Sequence, residues 1–328
     1  MATPQSSVVS VQGQLGAAEH GRDDAFAETA LGLLRESNRT LGLLRGSIVE
    51  MYSAKPQSEL SKEDACKRII IDVFSRKEVL EAEREGIPML AMIGGWAVWS
   101  KTGLRKSHDI DLAASEAGWS ALKDMAYEKG WRVKSNPSLR KHEIEVPGRE
   151  DSPGVDIDVY VENRDELSIP SHDVLTKYSS RGPLGQPSRW LRVIGDEPLV
   201  AMKLMWSYLH QDRDKDPIDI AGLVLYKSPK PDMHKVGRII SEHMGAQDLI
   251  GCLNHFGTVM NSVIESRLNF DSAEHREVLL GIVEGLEVQL KEGAIGPNDQ
   301  KDELKRSWLS RIFDMVPWHG KQAQEARK

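Results

Sequence analysis

The sequence predicts an α+β fold: a small mixed β-sheet in the middle of the chain, a helical extension before it and a helical domain after it. Three observations point there. Short apolar or β-branched runs of strand length recur between residues 89 and 194. Stretches with helical spacing of leucine, alanine and charge dominate on either side. Gly, Pro and Ser clusters separate the short runs, and the order of elements suits a layered α+β core. At 328 residues the chain is long for one domain, so three parts are expected: a helical extension over 1–60, a core over 61–228 and a helical domain over 229–328.

Each element has its own signal. Residues 1–20 are small and polar and read as a frayed terminus, and residues 23–51 read as one or two amphipathic helices. Ser58–Asp64 opens a further helix, capped by Ser61 with Asp64 three residues on, which runs towards Glu85 and stops at Gly86–Pro88. Met89–Ile93 is an apolar strand leading into Gly94-Gly95, after which a helix extends to about Gly103. The segment HDIDLAAS is a strand, residues 115–129 a helix, and Trp131–Lys134 and His142–Val146 are strands. Val155–Val161 (VDIDVYV) is the strongest strand of the chain. Residues 170–189, rich in Ser, Gly and Pro with Arg181 and Arg189, read as a loop. A strand over Arg192–Ile194 follows, and GDEP then starts a helix with acidic residues and Pro198 in its first turn, reaching His210. From about residue 231 the pattern is helical, with breaks near Asn269–Ser272 and Gly293–Asn298.

Composition narrows the function classes. With 40% hydrophobic and 28% charged residues the chain can bury a core, and it is not globally disordered. A net charge of -7 argues against a general nucleic-acid binder, while leaving room for a local basic groove. Cys66 and Cys252 stand alone, so no disulfide framework or cysteine metal site is expected and a reducing cytoplasm is the natural compartment. No leader-like segment opens the chain, and the longest uncharged run, Ile87 to Trp99, is too short for a bilayer, so no membrane partner is expected.

The chemistry gathers around Asp109-Ile110-Asp111. Strand residues two apart face the same way, so the two carboxylates project together, roughly 7 Å apart at Cα, with Ile110 turned into the core. Adjacent carboxylates repel unless a cation lies between them, and hard oxygen ligands suit Mg²⁺, which completes its shell from water and substrate phosphates. Gly94-Gly95 between a strand and a helix start lets backbone N–H groups approach a phosphate.

The stretch GGWAVWSKTGLRKSHDIDL resembles the signature of the nucleotidyltransferase superfamily that includes DNA polymerase β, and within it the abortive-infection toxin (AbiEii-like) branch. The match falls on Gly94, Gly95, Ala97, Arg105, Ser107, Asp109, Ile110, Asp111 and Leu112. The resemblance implies that Asp109 and Asp111 hold two Mg²⁺ ions, and that Gly94, Gly95, Arg105 and Ser107 contact the nucleotide. It also implies a further carboxylate on a neighbouring strand; VDIDVYV offers Asp158, which stands directly before an apolar pair as the family pattern has it, with Asp156 as the alternative. In EPLVAMKLMWSYLHQDRDKDPIDIAGLVL it points to Lys203 as a catalytic, phosphate-contacting lysine and to Asp216 as a nucleotide-site residue, with Asp219 structural or secondary. The bulky Trp96 departs from the pattern and would narrow the nucleotide pocket.

The resemblance covers roughly residues 88–225 and implies transfer of a nucleoside monophosphate from an NTP to a hydroxyl. The acceptor it suggests is RNA, tRNA in particular, or a protein side chain, in a toxin with a cognate antitoxin. The alternative is a catalytically inactive copy of the fold that acts as a binding module through protein–protein interaction.

Overall fold

The computed structural model describes residues 57–103, 106–136, 141–148, 153–161, 168–183, 190–210, 215–227, 229–267 and 273–295. The expectations for residues 1–56 and 296–328, and for Arg105, Arg189 and Arg213, lie outside the described residues.

The chain enters with two helices, α1 (Gln57–Phe74) and α2 (Lys77–Arg84). One continuous helix capped by Ser61 was expected; α1 begins before Ser61, and the helix is interrupted where Arg76 turns extended (φ −60°, ψ 141°). Arg76 donates to Glu128 at 2.7 Å, so its side chain ties the break to the next layer.

Then come β1 (Leu90–Met92), α3 (Gly94–Thr102), β2 (Asp109–Ala114), α4 (Glu116–Glu128), β3 (Arg132–Asn136), β4 (Lys141–Val146) and β5 (Val155–Val161). Ser115 caps α4 by accepting from the Gly118 amide at 3.0 Å. The segment expected as a loop over 170–189 contains α5 (Ser171–Thr176) and β6 (Ser179–Pro183). Its Ser/Gly/Pro composition hides two tertiary ties: Ser171 donates to the Tyr160 carbonyl at 2.9 Å, and β6 pairs antiparallel with β7 (Trp190–Ile194). Val174 and Leu175 are buried, so packing overrides local propensity here.

The seven strands form one mixed sheet in the order β3-β4-β5-β2-β1-β7-β6. At its centre β2 and β5 run parallel, and β1 lies antiparallel to β2 on the other side. Parity then sorts the residues. Ile110, Leu112, Ile157 and Val159 share one face with Ile144, all buried, and α4 covers that face where Trp119 stacks on His142 (4.2 Å between ring centres, 8° between planes). The opposite face carries Asp109, Asp111, Asp156, Asp158, Glu143 and Glu145, then Tyr160.

After β7 the chain forms α6 (Asp196–Leu209), α7 (Asp216–Ala221) and a π-helical turn over Gly222–Tyr226. Trp206 of α6 lies 6.1 Å from the Tyr160 ring, so α6 closes the far end of the acidic face. The helices α8 (Met233–His243), α9 (Ala246–Arg267) and α10 (Ala273–Ile295) follow, with α8 packed on α6 and α10. Asp232 caps α8 by accepting from the amides of His234 and Lys235 at 3.0 and 3.3 Å. At the α8–α10 crossing a Cβ on Gly237 would lie 2.7 Å from the Ala294 amide nitrogen, so backbones meet there. α10 continues through Gly293 to Ile295, inside the range expected for a break, and residues 296–298 lie outside the described residues, as do 268–272. One hydrophobic cluster runs from Ile70 and Leu90 through Leu204 to Phe256 and Leu290.

Candidate active site

The site grows from the junction of β1, α3 and β2. The Ile93 amide donates to the Asp111 carbonyl at 3.0 Å, and α3 begins at the next residue. Gly94 adopts φ +63°, and a Cβ there would lie 2.6 Å from Cγ and 2.8 Å from Cβ of Asp111. The glycine is therefore required twice, for its backbone conformation and for the room it leaves. Its absent side chain lets the Asp111 carboxylate rest against the first turn of α3, where the helix N-terminal field favours negative charge.

On β2, Ile110 is fully buried, and Asp109 and Asp111 project together from the other face, Asp109 exposed and Asp111 half-buried. Ser107 is buried and donates from its Oγ to Asp109 Oδ1. The parallel register sets Asp109 beside Asp156 and Asp111 beside Asp158. Like charges directly across a strand pair are costly, so something must offset them. On the neighbouring strand Glu143 pairs with Asp158 and Glu145 with Asp156, extending the acidic surface.

Two lysines provide the counter-charge. Lys134 Nζ lies 3.3 Å from Glu143 and 3.1 Å from Glu145. Lys141 Nζ bonds Asp158 Oδ2 at 2.7 Å, with both side chains largely withdrawn from solvent. Burial raises the Asp158 pKa above the ordinary carboxylate value, Lys141 pulls it back down, and the charges of Asp109 and Glu143 add to the rise. Burial would lower Lys141, but Asp158, Glu143 and Asp111 together hold it above its usual value. Lys141 is thus a single ammonium facing three carboxylates.

The oxygen-only donor set suits a hard divalent cation. Among the described residues, however, no group of three or more His, Cys, Asp or Glu side chains is arranged to hold a metal ion. Ser107 engages Asp109, and the Lys141 ammonium engages Asp158. The carboxylates match such an ion in donor chemistry alone, and Lys141 pairs with one of them.

The second expected cluster forms deeper. Lys203 on α6 bonds Asp216 at 2.6 Å and Asp219 at 2.9 Å, and all three are buried. Lys203 was expected to meet a phosphate; its ammonium, 4% exposed, instead holds the start of α7 onto α6. Asp219, expected to be structural or secondary, shares the Lys203 ammonium with Asp216. Trp96, expected to narrow the nucleotide pocket, is fully buried and packs edge-on against Trp99 at 5.3 Å, so its ring belongs to the core. Ala97 and Leu112 are also fully buried, which gives these motif positions a packing role. Both thiols are buried, and burial pushes Cys66 and Cys252 up to about 12, leaving them inert.

Sequence reasoning missed Lys141, Glu143 and Glu145. The signal was present in KHEIEV, where charges at alternate positions share one strand face.

No protein-family model matches the chain, and no curated protein matches it in sequence. Solved structures resemble it, two of which follow. The antibiotic-resistance factor ANT(2'')-Ia, solved in solution, is 18% identical over 60% of this chain and 95% of its own, with a TM-score of 0.33. An antigenic nucleotidyltransferase-like protein from Paracoccidioides brasiliensis is 13% identical over 68% of this chain and 95% of its own, with a TM-score of 0.37.

Proposed function

We propose that the chain is a Mg²⁺-dependent nucleotidyltransferase that moves a nucleoside monophosphate from an NTP to a hydroxyl of an RNA, tRNA in particular, or of a protein. The observation that carries this reading is the register of β2 on β5, which aligns two carboxylate pairs beside a glycine-opened helix start. That combination serves a cation and a phosphate chain at once.

Asp109 and Asp111 serve as the metal ligands, and Asp158, half-buried and paired with Asp111, serves as the third carboxylate in preference to the exposed Asp156. When bound, two Mg²⁺ ions supply Lewis acidity and charge neutralisation for the triphosphate. Gly94 and Gly95 present the α3 amides to the phosphates, and Ser107 keeps Asp109 aimed. Arg105 adds a cationic contact to the nucleotide. In the transfer, the acceptor oxygen attacks the α-phosphorus, the bond to the bridging oxygen breaks and pyrophosphate leaves. Asp158 takes the acceptor's proton as general base. Lys203 with Asp216 and Asp219 positions α7 rather than touching substrate.

A toxin role with a cognate antitoxin rests on the motif resemblance. Among the described residues no helix is long and apolar enough to cross a membrane. The test is incubation with each α-labelled NTP, Mg²⁺ and total RNA, beside Asp109→Ala/Asp111→Ala. Label entering tRNA or protein with the parent and not with the variant supports the transferase and names its acceptor. NTP binding without transfer to any acceptor supports the inactive binding module.

A further inference from the structure

We propose that the cavity between α2 and the β6–β7 pair binds a phosphate group, with Arg84 and Arg181 as its ligands and the Glu83-bound Arg192 as its fixed wall. β6 is the edge strand three places from β2 in the sheet, about 14 Å away at ordinary strand spacing, so this site is separate from the acidic face. The inference does not depend on the nucleotidyltransferase reading.

The cavity measures about 110 Å³, ample for a small anion with water beside it. Phe74, Val79 and Leu191 form a buried apolar side, and the guanidiniums of Arg84, Arg181 and Arg192 line it as well. Among the lining residues Glu83 is the one carboxylate. Arg192 takes both of its oxygens, Nε to Oε1 at 2.7 Å and Nη2 to Oε2 at 3.1 Å. Arg192 Nη1 also donates to the Ser179 carbonyl at 3.1 Å, so this side chain is locked and Glu83 is fully engaged. The neighbouring carboxylates of α2 are held elsewhere, Glu78 by Arg76 at 3.3 Å and Glu81 by Lys77 at 3.8 Å.

Arg84 and Arg181 make no ion pair among the described residues, and they come from different elements, the last turn of α2 and the middle of β6. Arg181 stands directly opposite Arg192 across the β6–β7 pair. Like charges so placed destabilise a sheet, and an anion held between them offsets the repulsion. Planar guanidinium forks match phosphate oxygens two at a time and stay charged at every working pH. The apolar side keeps water from part of the cavity, which strengthens each charge-assisted contact. Three guanidiniums against one carboxylate, on a chain of net charge -7, also steer anions to this edge. The ligand class is a phosphate group, carried by a nucleic-acid strand or by a small phosphorylated molecule.

The test uses the full chain and two probes at one ionic strength, since screening alone changes such contacts. Inorganic phosphate is followed by titration calorimetry, and a fluorescein-labelled single-stranded RNA without a terminal phosphate by anisotropy. The variants are Arg84→Gln/Arg181→Gln and, as a control for charge alone, Lys235→Gln/Arg276→Gln, which removes two exposed cations of α8 and α10 that pair with Glu197 and Glu265. Loss of Arg84 and Arg181 is expected to weaken at least one probe about tenfold, as two charge-assisted contacts disappear, with the control changing it less than about twofold. A loss for phosphate alone assigns the site to small phosphorylated ligands, and a loss for the RNA assigns it to a nucleic-acid strand. Unchanged affinity for both probes, an equal loss in the control, or a parent that binds neither probe overturns the proposal. Arg181→Gln alone relieves the opposition to Arg192 and is expected to unfold at no lower temperature than the parent without phosphate. A lower midpoint gives Arg181 a structural role and overturns the proposal as well.

Discussion

Gly94→Ala is the sharpest probe of the site's construction. At φ +63° an alanine pays the left-handed penalty of about 1–2 kcal/mol. Its Cβ also falls 2.8 Å from the Asp111 Cβ, which rotation about χ1 cannot move. Relieving that overlap shifts β2 against α3, and such overpacking costs about 1–3 kcal/mol. The total is about 3 kcal/mol, which for a chain of this size lowers Tm by roughly 6–12 °C. Gly130→Ala is the matched control: its φ is +68°, with nothing within 4 Å of the added Cβ, so only the conformational penalty applies. The entropy that any Gly→Ala change removes from the unfolded chain is common to both and cancels in the comparison. Denaturant unfolding of the two variants should therefore separate them by about 1–3 kcal/mol, with nucleotidyl transfer lost only in Gly94→Ala. Equal destabilisation would refute the argument that Gly94 exists to seat Asp111.

Two further outcomes are expected. Lys203→Met strands two buried carboxylates and should cost about 3–5 kcal/mol, seen as a lower urea midpoint with unchanged slope; Lys203→Met/Asp216→Asn/Asp219→Asn should recover part of it, and a single-variant loss below about 1 kcal/mol would contradict the burial of the triad. Lys101 and Lys227 share one carboxylate, Asp196, and burial pulls each to about 8. Their folded values lie below the ordinary 10.5, so between about pH 8 and 10.5 the folded chain has released protons that the unfolded chain retains. Stability from this pair rises with pH across that window, and Lys101→Met/Lys227→Met should flatten the rise in unfolding curves taken from pH 7.5 to 10.

The parts of the fold that were legible are those in which local pattern and tertiary role agree. β2 and β5 alternate acidic and apolar residues because one face is buried under helices and the acidic stretch of the other is only partly covered, and that period survives in sequence. α6 announced itself through Asp196, Glu197 and Pro198 at its start. β6 was hidden because an edge strand of Ser, Arg and Gly is held by its pairing with β7 and not by its own propensity. Lys141 was hidden for another reason: the sequence shows a lysine on a strand, but only the β4–β5 register brings it to Asp158. Lys203, expected to contact a phosphate, pairs instead with two buried carboxylates. This pairing followed from the fold of α7 back onto α6, a long-range fact that no local window contains.

The alignment of β2 with β5 has a consequence for how the chain finds its structure. A slip of one residue between these strands would turn Asp156 and Asp158 towards Trp119 and the apolar layer, and drive Ile157 and Val159 out into water. Burying two carboxylates without partners costs several kcal/mol, on top of the apolar area lost. The side chains proposed to bind the metal and substrate thus also penalise the misaligned pairing of β2 with β5.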